Sequence, residues 1–231
     1  MKFSFLNDLM SLFFPRTCLA CGKNLLTHEN LVCEPCLFHL PRTRFHLEAD
    51  NPVVRAFWGK VPLVHATAFL YYAKGNRVQR LIHALKYKGE KELGPFLGKI
   101  FAEELRAQSV FPAAEAIVAV PLHPTRLKKR GYNQGELIAE GLSEVLGIPL
   151  LTGIMIRSRA TETQTRKSRY DRWKNVEDII HIKDASAITG KNLLLVDDVL
   201  TTGSTMEACI QALIQIPGVS VSVAAVGYAS R

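Results

Sequence analysis

The segment from residue 192 to residue 206 constrains the fold of this chain more than any other. It begins with an unbroken apolar run at 193–196, continues into the adjacent carboxylates Asp197 and Asp198, and then into hydroxyl residues around Gly203. An apolar run without polar alternation is typical of a strand buried on both faces of a parallel sheet. Hydroxyl residues after such a strand favour a turn that opens a helix. The segment therefore predicts a strand–turn–helix unit of an α/β fold.

Strands and helices alternate in the same way along the chain from about residue 60. Apolar runs predict strands at 63–72, 116–120, 149–156, 192–197 and 219–227. Apolar residues at helical spacing predict helices at 78–85, from 95 onward, at 135–146 and at 204–215, and a basic loop occupies 157–175. This alternation predicts a mainly parallel sheet flanked by helices, in a domain that spans residues 59–231.

Basic residues outnumber acidic residues by 29 to 21, so the formal net charge is +8. The excess lies within residues 59–175, whereas residues 176–231 are acidic overall. This uneven distribution favours a site for a polyanion over a uniformly basic surface. Because 48% of the residues are hydrophobic, the composition also excludes a mainly disordered chain.

Four of the five cysteines form a C-x2-C-x11-C-x2-C array near the N-terminus: Cys18, Cys21, Cys33 and Cys36. Each pair places two sulfurs on one tight turn, and two such turns can supply the four ligands of a structural zinc ion. Two disulfides or a redox pair are the alternatives, but Pro15 and Pro35 frame irregular segments rather than the helix start of a redox motif. We interpret residues 1–58 as an N-terminal helix, a zinc ribbon and a linker. Cys209 lies on an apolar helical face and is interpreted as a core residue.

Residues 1–15 are apolar enough to be compared with a signal peptide. Asp8 interrupts the apolar region, no small-residue cleavage site follows, and no apolar run in the chain is long enough to span a membrane. Phe5, Leu9 and Leu12 recur at helical spacing, which predicts a short amphipathic helix docked on the protein itself. Peripheral membrane contact is the alternative. We expect a cytoplasmic protein whose thiols stay reduced.

The polar half of the 192–206 segment has the chemistry of a sugar-phosphate site. Hydroxyls and backbone N–H groups at a helix N-terminus favour a phosphate, and here they come from Thr201, Thr202, Gly203, Ser204 and Thr205. The carboxylates of Asp197 and Asp198 can accept hydrogen bonds from neighbouring sugar hydroxyls. The alternative without function is a capped helix beside two solvated aspartates. Together these groups predict a ribose 5-phosphate cradle at the carboxyl end of a strand.

This segment resembles the phosphoribosyl-pyrophosphate (PRPP) motif of type I phosphoribosyltransferases. The resemblance implies that Asp197 and Asp198 hold the ribose 2′- and 3′-hydroxyls, that residues 201–205 hold the 5-phosphate, and that Mg²⁺ accompanies PRPP. Other segments are similar to the ComF family: LIHALKYKG at 81–89, VPLHPTRLKKRGYNQ at 120–134, and the spaced residues Arg157, Thr163, Gln164, Arg172, Asn175 and Val176. That family carries a four-cysteine ribbon ahead of its phosphoribosyltransferase domain. The resemblance therefore covers nearly the whole chain and implies the type I phosphoribosyltransferase fold.

The resemblance also implies roles for two basic segments. In the type I fold, the loop after the strand at 116–120 faces the pyrophosphate, and the candidates there are Pro121, Leu122, Arg126 and Arg130. The segment at 157–175 falls where such enzymes carry a mobile loop, and the candidates there are Arg157, Gln164 and Arg172. A solvated basic face is the alternative for both segments. His83 and His123 are interpreted as structural rather than catalytic.

Three functions are open on the sequence alone, and the third is that the zinc ribbon is a protein-docking module. The first is Mg²⁺-dependent phosphoribosyl transfer, in which pyrophosphate leaves C1 of PRPP and a nitrogen nucleophile adds. The second is non-catalytic binding, because the ComF resemblance implies a role in natural transformation, handling incoming single-stranded DNA with a helicase partner. Tyr132, Tyr170 and Trp173 lie among the cations of the basic segments and suit stacking on single-stranded nucleic acid. The full sugar-phosphate motif favours at least nucleotide binding.

Overall fold

The computed structural model describes residues 15–107, 113–159 and 178–229. An irregular four-cysteine segment comes first, followed by the short helices α1 (Glu34–Phe38) and α2 (Pro52–Arg55), with a 3₁₀ turn at Phe45–Leu47 between them. The longer part of the chain contains the helices α3 (Arg77–Tyr87), α4 (Leu93–Arg106), α5 (Pro124–Arg130), α6 (Gln134–Leu146) and α7 (Ser204–Leu213). Its strands are β1 (His65–Tyr71), β2 (Ala116–Ala119), β3 (Met155–Arg159), β4 (Asp178–Ile182), β5 (Asn192–Leu200) and β6 (Ser220–Tyr228). The strand and helix predicted at 192–206 are β5 and α7.

Four parallel strands form the main sheet, in the order β1–β6–β5–β2. β5 lies inside the sheet, with β6 on one side and β2 on the other. Outside β2, the backbone of Ile117 bonds to Pro149 and Leu151 and so adds a short parallel segment. Apolar clusters cover both faces of the sheet. This arrangement confirms the predicted α/β fold with a mainly parallel sheet flanked by helices.

Two apolar layers hold the helices on the sheet. On one face, α3, α4 and α6 contribute Leu81, Phe101 and Leu142, all of them fully buried. On the other face, α7 contributes Ile210, and Phe57 belongs to the same buried cluster from the segment ahead of β1. Burial of this apolar surface is the main force that fixes the ends of the strands relative to the helices.

Helices α4 and α6 approach each other closely. A Cβ atom added to Gly98 of α4 would lie 2.1 Å from the carbonyl oxygen of Ile138. One added to Gly141 of α6 would lie 2.1 Å from the carbonyl oxygen of Pro95. Because the interior is close-packed and backbone atoms cannot give way by so much, this crossing requires glycine on both helices. The crossing fixes α6, whose first residue lies at the candidate site.

The cysteine segment packs against the first apolar layer. Cys18, Cys33 and Cys36 are buried in the same cluster as Leu81 of α3. The guanidinium of Arg80, also on α3, donates to the Ala20 carbonyl oxygen at 3.3 Å. The cysteine segment and α3 therefore share buried surface as well as a polar contact.

The linker between the cysteine segment and β1 is held by buried polar contacts. The Thr43 N–H donates to the Phe69 carbonyl oxygen at 2.9 Å, and residues 41–43 run antiparallel along the outer side of β1. Asn51 is fully buried, donates to the Ala66 carbonyl oxygen at 2.8 Å and caps α2. The division of the chain after residue 58 stays a prediction.

Three predicted segments differ from the structure. The strand expected at 149–156 is a single bridge at Leu150 followed by β3, which begins only at Met155. Residues 157–159, expected in the basic loop, belong to β3, which pairs antiparallel with β4. The loop expected after 116–120 contains α5, a helix with no buried residue. Since a helix that buries nothing has no apolar periodicity, its sequence pattern does not predict it.

Some predictions fall on residues outside the described ranges. Among them are the N-terminal helix, at residues 1–14, and the residues Gln164, Tyr170, Arg172 and Trp173. Within the described ranges, none of the helices is both long enough and apolar enough to cross a membrane.

Candidate functional site

A cleft of about 240 Å³ opens where β2 and β5 end side by side. The predicted residues that line it are Asp197, Asp198, Thr201, Thr205, Pro121, Leu122, Arg126 and Arg157. The cleft therefore contains at least one candidate residue for each predicted role: ribose binding, 5-phosphate binding, pyrophosphate binding and the mobile loop. Lys86 and Gln134 also line the cleft, and neither was among the predicted site residues.

Asp198 is almost inaccessible, with 3% of its surface exposed. Its Oδ1 lies 2.7 Å from Nζ of Lys86, close to the end of α3. Its Oδ2 is buried and has no hydrogen-bond partner in the described part of the chain. Because a buried carboxylate oxygen without a donor is costly, a hydroxyl group or a cation from outside the chain would bind favourably here.

Asp197 is half-buried and lines the cleft beside Asp198. Burial and the charge of Asp198 raise its pKa to about 7, although the Asp198 N–H, Lys86 and Arg157 act in the opposite direction. The Asp198 N–H donates to Oδ1 of Asp197 at 2.8 Å. Two adjacent carboxylates that repel each other in this way favour a divalent cation or hydroxyl donors between them.

The turn between β5 and α7 has one packed side and one exposed side. Gly203 is buried with φ of +81°, and a Cβ atom added there would lie 3.4 Å from the ring of Phe57. The hydroxyls of Thr202 and Ser204 lie 3.0 Å apart on the exposed side. Helix α7 begins at Ser204, and the N–H groups of its first turn have no partner within the helix. The turn therefore presents donors at a helix N-terminus.

The structure distributes the turn residues over two neighbouring cavities. Thr201 and Thr205 line the cleft. Ser204 and Thr205 line a cavity of about 400 Å³, which Arg157 of β3 also lines. Thr202 and Gly203 line neither of these two cavities. Arg157 and Thr205 thus join the two cavities.

The end of β2 carries the pyrophosphate candidates next to the carboxylates. The Val120 N–H donates to the Val196 carbonyl oxygen at 2.9 Å, which keeps the two strand ends together. Asn133 donates to the Val120 carbonyl oxygen at 3.0 Å and caps α6, so it ties the helix to the strand. The candidates from this segment that line the cleft are Pro121, Leu122 and Arg126.

Arg130 is the pyrophosphate candidate that does not line the cleft. Its guanidinium bonds to Oε1 of Gln134 and lies 5.5 Å from the ring centroid of Tyr87. It lines an adjacent cavity of about 430 Å³ instead. Lys86 and Gln134 line both cavities. The sequence signal for these two residues was their position in the segments at 81–89 and 120–134.

One mobile-loop candidate, Arg157, lies on β3 and lines the cleft. The other two, Gln164 and Arg172, lie outside the described residues. Arg157 also lowers the pKa of Asp197 through its charge. The β3–β4 ribbon therefore brings a cation to the carboxylate pair.

The two histidines interpreted as structural lie near the site without lining the cleft. His123 caps α5, because its ring nitrogen Nδ1 accepts from the Thr125 N–H at 3.3 Å. The ring of His83 contacts the ring of Tyr87, with a centroid distance of 4.9 Å. Cys209, interpreted as a core residue, is fully buried on α7, and burial raises its pKa.

The ligand atoms of Cys18, Cys21, Cys33 and Cys36 all lie within 4.8 Å of one another. The Sγ atoms of Cys21 and Cys33 are 3.8 Å apart, and none of the five cysteines forms a disulfide. Four Zn–S bonds of about 2.3 Å in a tetrahedron place the sulfurs about 3.8 Å apart, so the cluster fits such an ion. Burial opposes ionisation of Cys18, but backbone N–H groups, led by that of Cys33, lower its pKa to about 7. The disulfide alternative does not hold in this structure.

Known proteins resemble this chain over most of its length. Residues 133–228, which include β5, the turn and α7, match the phosphoribosyl transferase domain family. Competence protein F of Haemophilus influenzae is 40% identical, over 84% of this chain and 89% of its own. DNA utilization protein YhgH of Escherichia coli is 30% identical, over 89% of this chain and 87% of its own. Competence protein ComFC of Bacillus subtilis is 28% identical, over 86% of this chain and 71% of its own.

Proposed function

Because this chain belongs to the ComF family and has a phosphoribosyltransferase fold, we propose that its cleft binds PRPP or a related phosphoribosyl compound with Mg²⁺. The observation that carries the proposal is the carboxylate pair beside the turn at 201–205, with the buried, unpartnered Oδ2 of Asp198. A sugar phosphate offers adjacent hydroxyls to the carboxylates and a phosphate to the turn.

Each wall of the cleft has the chemistry for one part of PRPP. Asp197 and Asp198 would accept hydrogen bonds from the ribose hydroxyls, and the donors of residues 201–205 would hold the 5-phosphate. The backbone at 121–122 and the guanidinium of Arg126 would face the pyrophosphate. Arg157 would approach from β3, and the residues proposed to follow it in a mobile loop are Gln164 and Arg172. Arg130 would act on the pyrophosphate only from the adjacent cavity.

A divalent cation fits the same cleft. Two carboxylates lie there side by side, and burial together with the charge of Asp198 raises the pKa of Asp197, although a backbone N–H, Lys86 and Arg157 act in the opposite direction. Carboxylate oxygens are preferred ligands of Mg²⁺, which usually binds through one or two of them together with substrate phosphates. Bound with PRPP, the ion would withdraw charge from the pyrophosphate.

We further propose that the protein transfers the phosphoribosyl group. The C1–O bond to pyrophosphate would break, and its electron pair would leave with the pyrophosphate. A nitrogen nucleophile would form the new bond to C1 and lose its proton. Negative charge would develop on the leaving group, which the proposal places next to Arg126 and the backbone after β2, both of which line the cleft. Charges and donors already in place at that position stabilise the transition state.

Calorimetric titration of PRPP–Mg²⁺ into the metal-loaded protein tests the binding site. The wild type should bind saturably, and Asp197→Asn should bind about tenfold or more weakly, the loss expected for hydrogen bonds to a charged group. Asp184→Asn is the matched control, because Asp184 is exposed and does not line the cleft. Equal affinities of the wild type and Asp197→Asn would contradict the assignment of the cleft as a PRPP site. Pyrophosphate release with added nitrogen bases measures transfer separately.

The cysteine cluster is proposed to hold a structural zinc ion. Four sulfur ligands close the coordination shell, so the ion would stabilise the N-terminal segment and take no part in the reaction. Such a thiolate site, and the absence of disulfides among all five cysteines, support a cytoplasmic location where thiols stay reduced.

A second candidate function is the binding of single-stranded DNA during competence. The names of the relatives point to competence and DNA utilization, and α5 exposes Lys128 and Lys129 beside Arg130. Binding through these cations would weaken steeply with salt, because each phosphate contact releases counterions. Charge reversal at the three positions should lower both the affinity and the salt slope. An unchanged affinity and an unchanged salt slope would exclude this surface as a DNA site. A helicase partner would then be the remaining link to DNA.

A further inference from the structure

The cavity beside the cleft has the properties of a second ligand site. Its volume is about 430 Å³, compared with about 240 Å³ for the cleft. The two cavities share the wall residues Lys86, Leu122, Arg126 and Gln134. We call the remaining part, lined by Tyr87, Gly89, Lys129, Arg130 and Tyr132, the tyrosine shelf. A ligand on the tyrosine shelf would therefore touch the same walls as a ligand in the cleft.

Two aromatic rings line the tyrosine shelf. Tyr87 ends α3 and is 68% exposed, with the guanidinium of Arg130 5.5 Å from its ring centroid. Tyr132 is fixed differently, because its hydroxyl bonds to the Leu85 carbonyl oxygen and the ammonium of Lys91 lies 5.2 Å from its ring. An exposed ring next to cations is a typical platform on which a nucleic-acid base stacks.

The charged residues described in the lining of this cavity are all positive. Its described lining contains four cations, Lys86, Arg126, Lys129 and Arg130, and no acidic residue. Lys86 is paired with Asp198, and Arg130 is bonded to Gln134. Arg126 and Lys129 have no carboxylate partner among the described residues. They are three positions apart on α5 and so lie on the same side of the helix.

We propose that the tyrosine shelf binds a nucleotide, with its base stacked on Tyr87 and its phosphate held by Lys129 and by Arg126 of the shared wall. An uncharged base would use the ring alone, and inorganic phosphate would use the cations alone, whereas a nucleotide uses both. A volume of about 430 Å³ lies within the usual range for small-ligand sites. The proposal rests on the proposed function in one respect: the nucleotide would lie beside a bound phosphoribosyl group.

AMP and UMP are the probes, titrated calorimetrically into the full-length, metal-loaded protein. Ribose 5-phosphate and Mg²⁺ are present at saturation, so that the cleft is filled while the tyrosine shelf stays open. Both nucleotides should still bind, and adenine alone should bind more weakly. Tyr87→Leu should weaken AMP binding about tenfold, within the range measured for loss of one stacked base. Arg126→Gln should weaken AMP binding but not adenine binding.

A matched control and a second ligand separate this proposal from the proposed function. The control is Trp58→Leu, which also removes an exposed aromatic ring close to an arginine. Trp58 is 61% exposed, and the guanidinium of Arg55 lies 5.9 Å from its ring centroid. This variant should leave AMP binding unchanged. Tyr87→Leu should bind ribose 5-phosphate as the wild type does. If ribose 5-phosphate fails to bind the wild type while AMP binding still depends on Tyr87, the proposed function is wrong, but the nucleotide site on the tyrosine shelf is supported.

Two results would overturn the tyrosine shelf. In the first, ribose 5-phosphate displaces AMP and Tyr87→Leu has no effect, which would place the nucleotide in the cleft. In the second, neither AMP nor UMP binds, but a single-stranded oligothymidylate binds with a steep salt dependence. That result would mean that the cations bind the phosphates of single-stranded DNA and are not part of a nucleotide site.

Discussion

Lys86 and Asp198 form an ion pair that is shielded from water. The distance from Nζ to Oδ1 is 2.7 Å, and the two side chains are 22% and 5% exposed. Removing one partner of such a pair leaves a buried charge without compensation, which is more costly than losing an exposed pair. Lys86 is thus the residue that positions Asp198 at the cleft.

A double-mutant cycle should reveal this coupling. Lys86→Met alone should lower the free energy of unfolding by about 2–4 kcal/mol, because the buried carboxylate of Asp198 loses its partner. Lys86→Met combined with Asp198→Asn should lose less than the sum of the single variants, with a coupling energy of about 1–3 kcal/mol. Urea denaturation measures all four proteins.

The exposed pair of Lys99 and Glu144 is the control for that cycle. Its atoms are as close, at 2.6 Å, but its side chains are 44% and 65% exposed. Its coupling energy should stay below about 1 kcal/mol. Additive effects of the Lys86 and Asp198 substitutions would contradict the shielded pair.

Ionisation of Asp197 should make the free energy of unfolding depend on pH, in a direction that follows from its raised pKa. An aspartate in the unfolded chain ionises at a pKa of about 3.9, whereas the pKa of Asp197 in the fold is about 7. Between these values the unfolded state releases a proton that the folded state keeps, so this group makes the protein less stable as the pH rises. Asp197→Asn removes that contribution. The Tm of the variant minus that of the wild type, measured without added Mg²⁺, should therefore increase from pH 5 to pH 7.5. A constant or falling difference would show that the carboxyl ionises normally.

The residues of the site could be predicted from sequence where they are neighbours in sequence. Asp197, Asp198 and Thr201 follow one strand within a few positions, and the structure places all three in the cleft. Lys86 reaches Asp198 only because α3 and β5 pack in the same apolar layer, and no local pattern encodes that contact. Arg130 was predicted for the same loop as Arg126, but its bond to Gln134 holds it in the adjacent cavity.

Among the elements, the crossing of α4 and α6 should tolerate substitution least. Gly98→Ala would improve helix propensity by up to about 1 kcal/mol in an exposed helix. Here the new Cβ atom would lie 2.1 Å from the Ile138 carbonyl oxygen, so the helices would have to separate. We expect a net loss of about 1–3 kcal/mol in the free energy of unfolding, typical of overpacking. Arg106→Ala, on an exposed turn of the same helix, should change it by less than about 0.5 kcal/mol. A Gly98→Ala protein as stable as the wild type would mean that the crossing is looser than described.

Strands and helices were predictable where they bury apolar residues. β5 and β6 contain apolar runs at 193–196 and 223–226, and α3 has buried residues at helical spacing. α5 has no buried residue, so its seven residues were expected as a loop. β3 was placed too early, because the apolar residues at 149–151 make only an isolated bridge to Ile117.

At the scale of the whole molecule, the proposed zinc site should affect global stability. Cys18, Cys33 and Cys36 share an apolar cluster with α3 and α4, so loss of a bound ion would loosen that layer as well as the N-terminal segment. Removing zinc with a chelator should lower the Tm by about 5–10 °C, the shift expected for a few kcal/mol in a chain of this size. Cys33→Ser should bind no zinc in a metal assay, whereas Cys209→Ser should keep one equivalent. A protein that contains no zinc, or whose Tm is insensitive to its removal, would refute a structural ion.

The pairing of residues 41–43 with β1 determines how the protein can be shortened. β1 is the last strand on its side of the sheet, and six of its seven residues are buried. Without residues 41–43 it would become an uncovered edge strand, whose free backbone groups and apolar side chains can recruit a strand from another molecule. A fragment that starts at residue 59 would therefore carry an aggregation-prone edge. When residues 41–43 are present, they cover this edge of β1 and prevent that association.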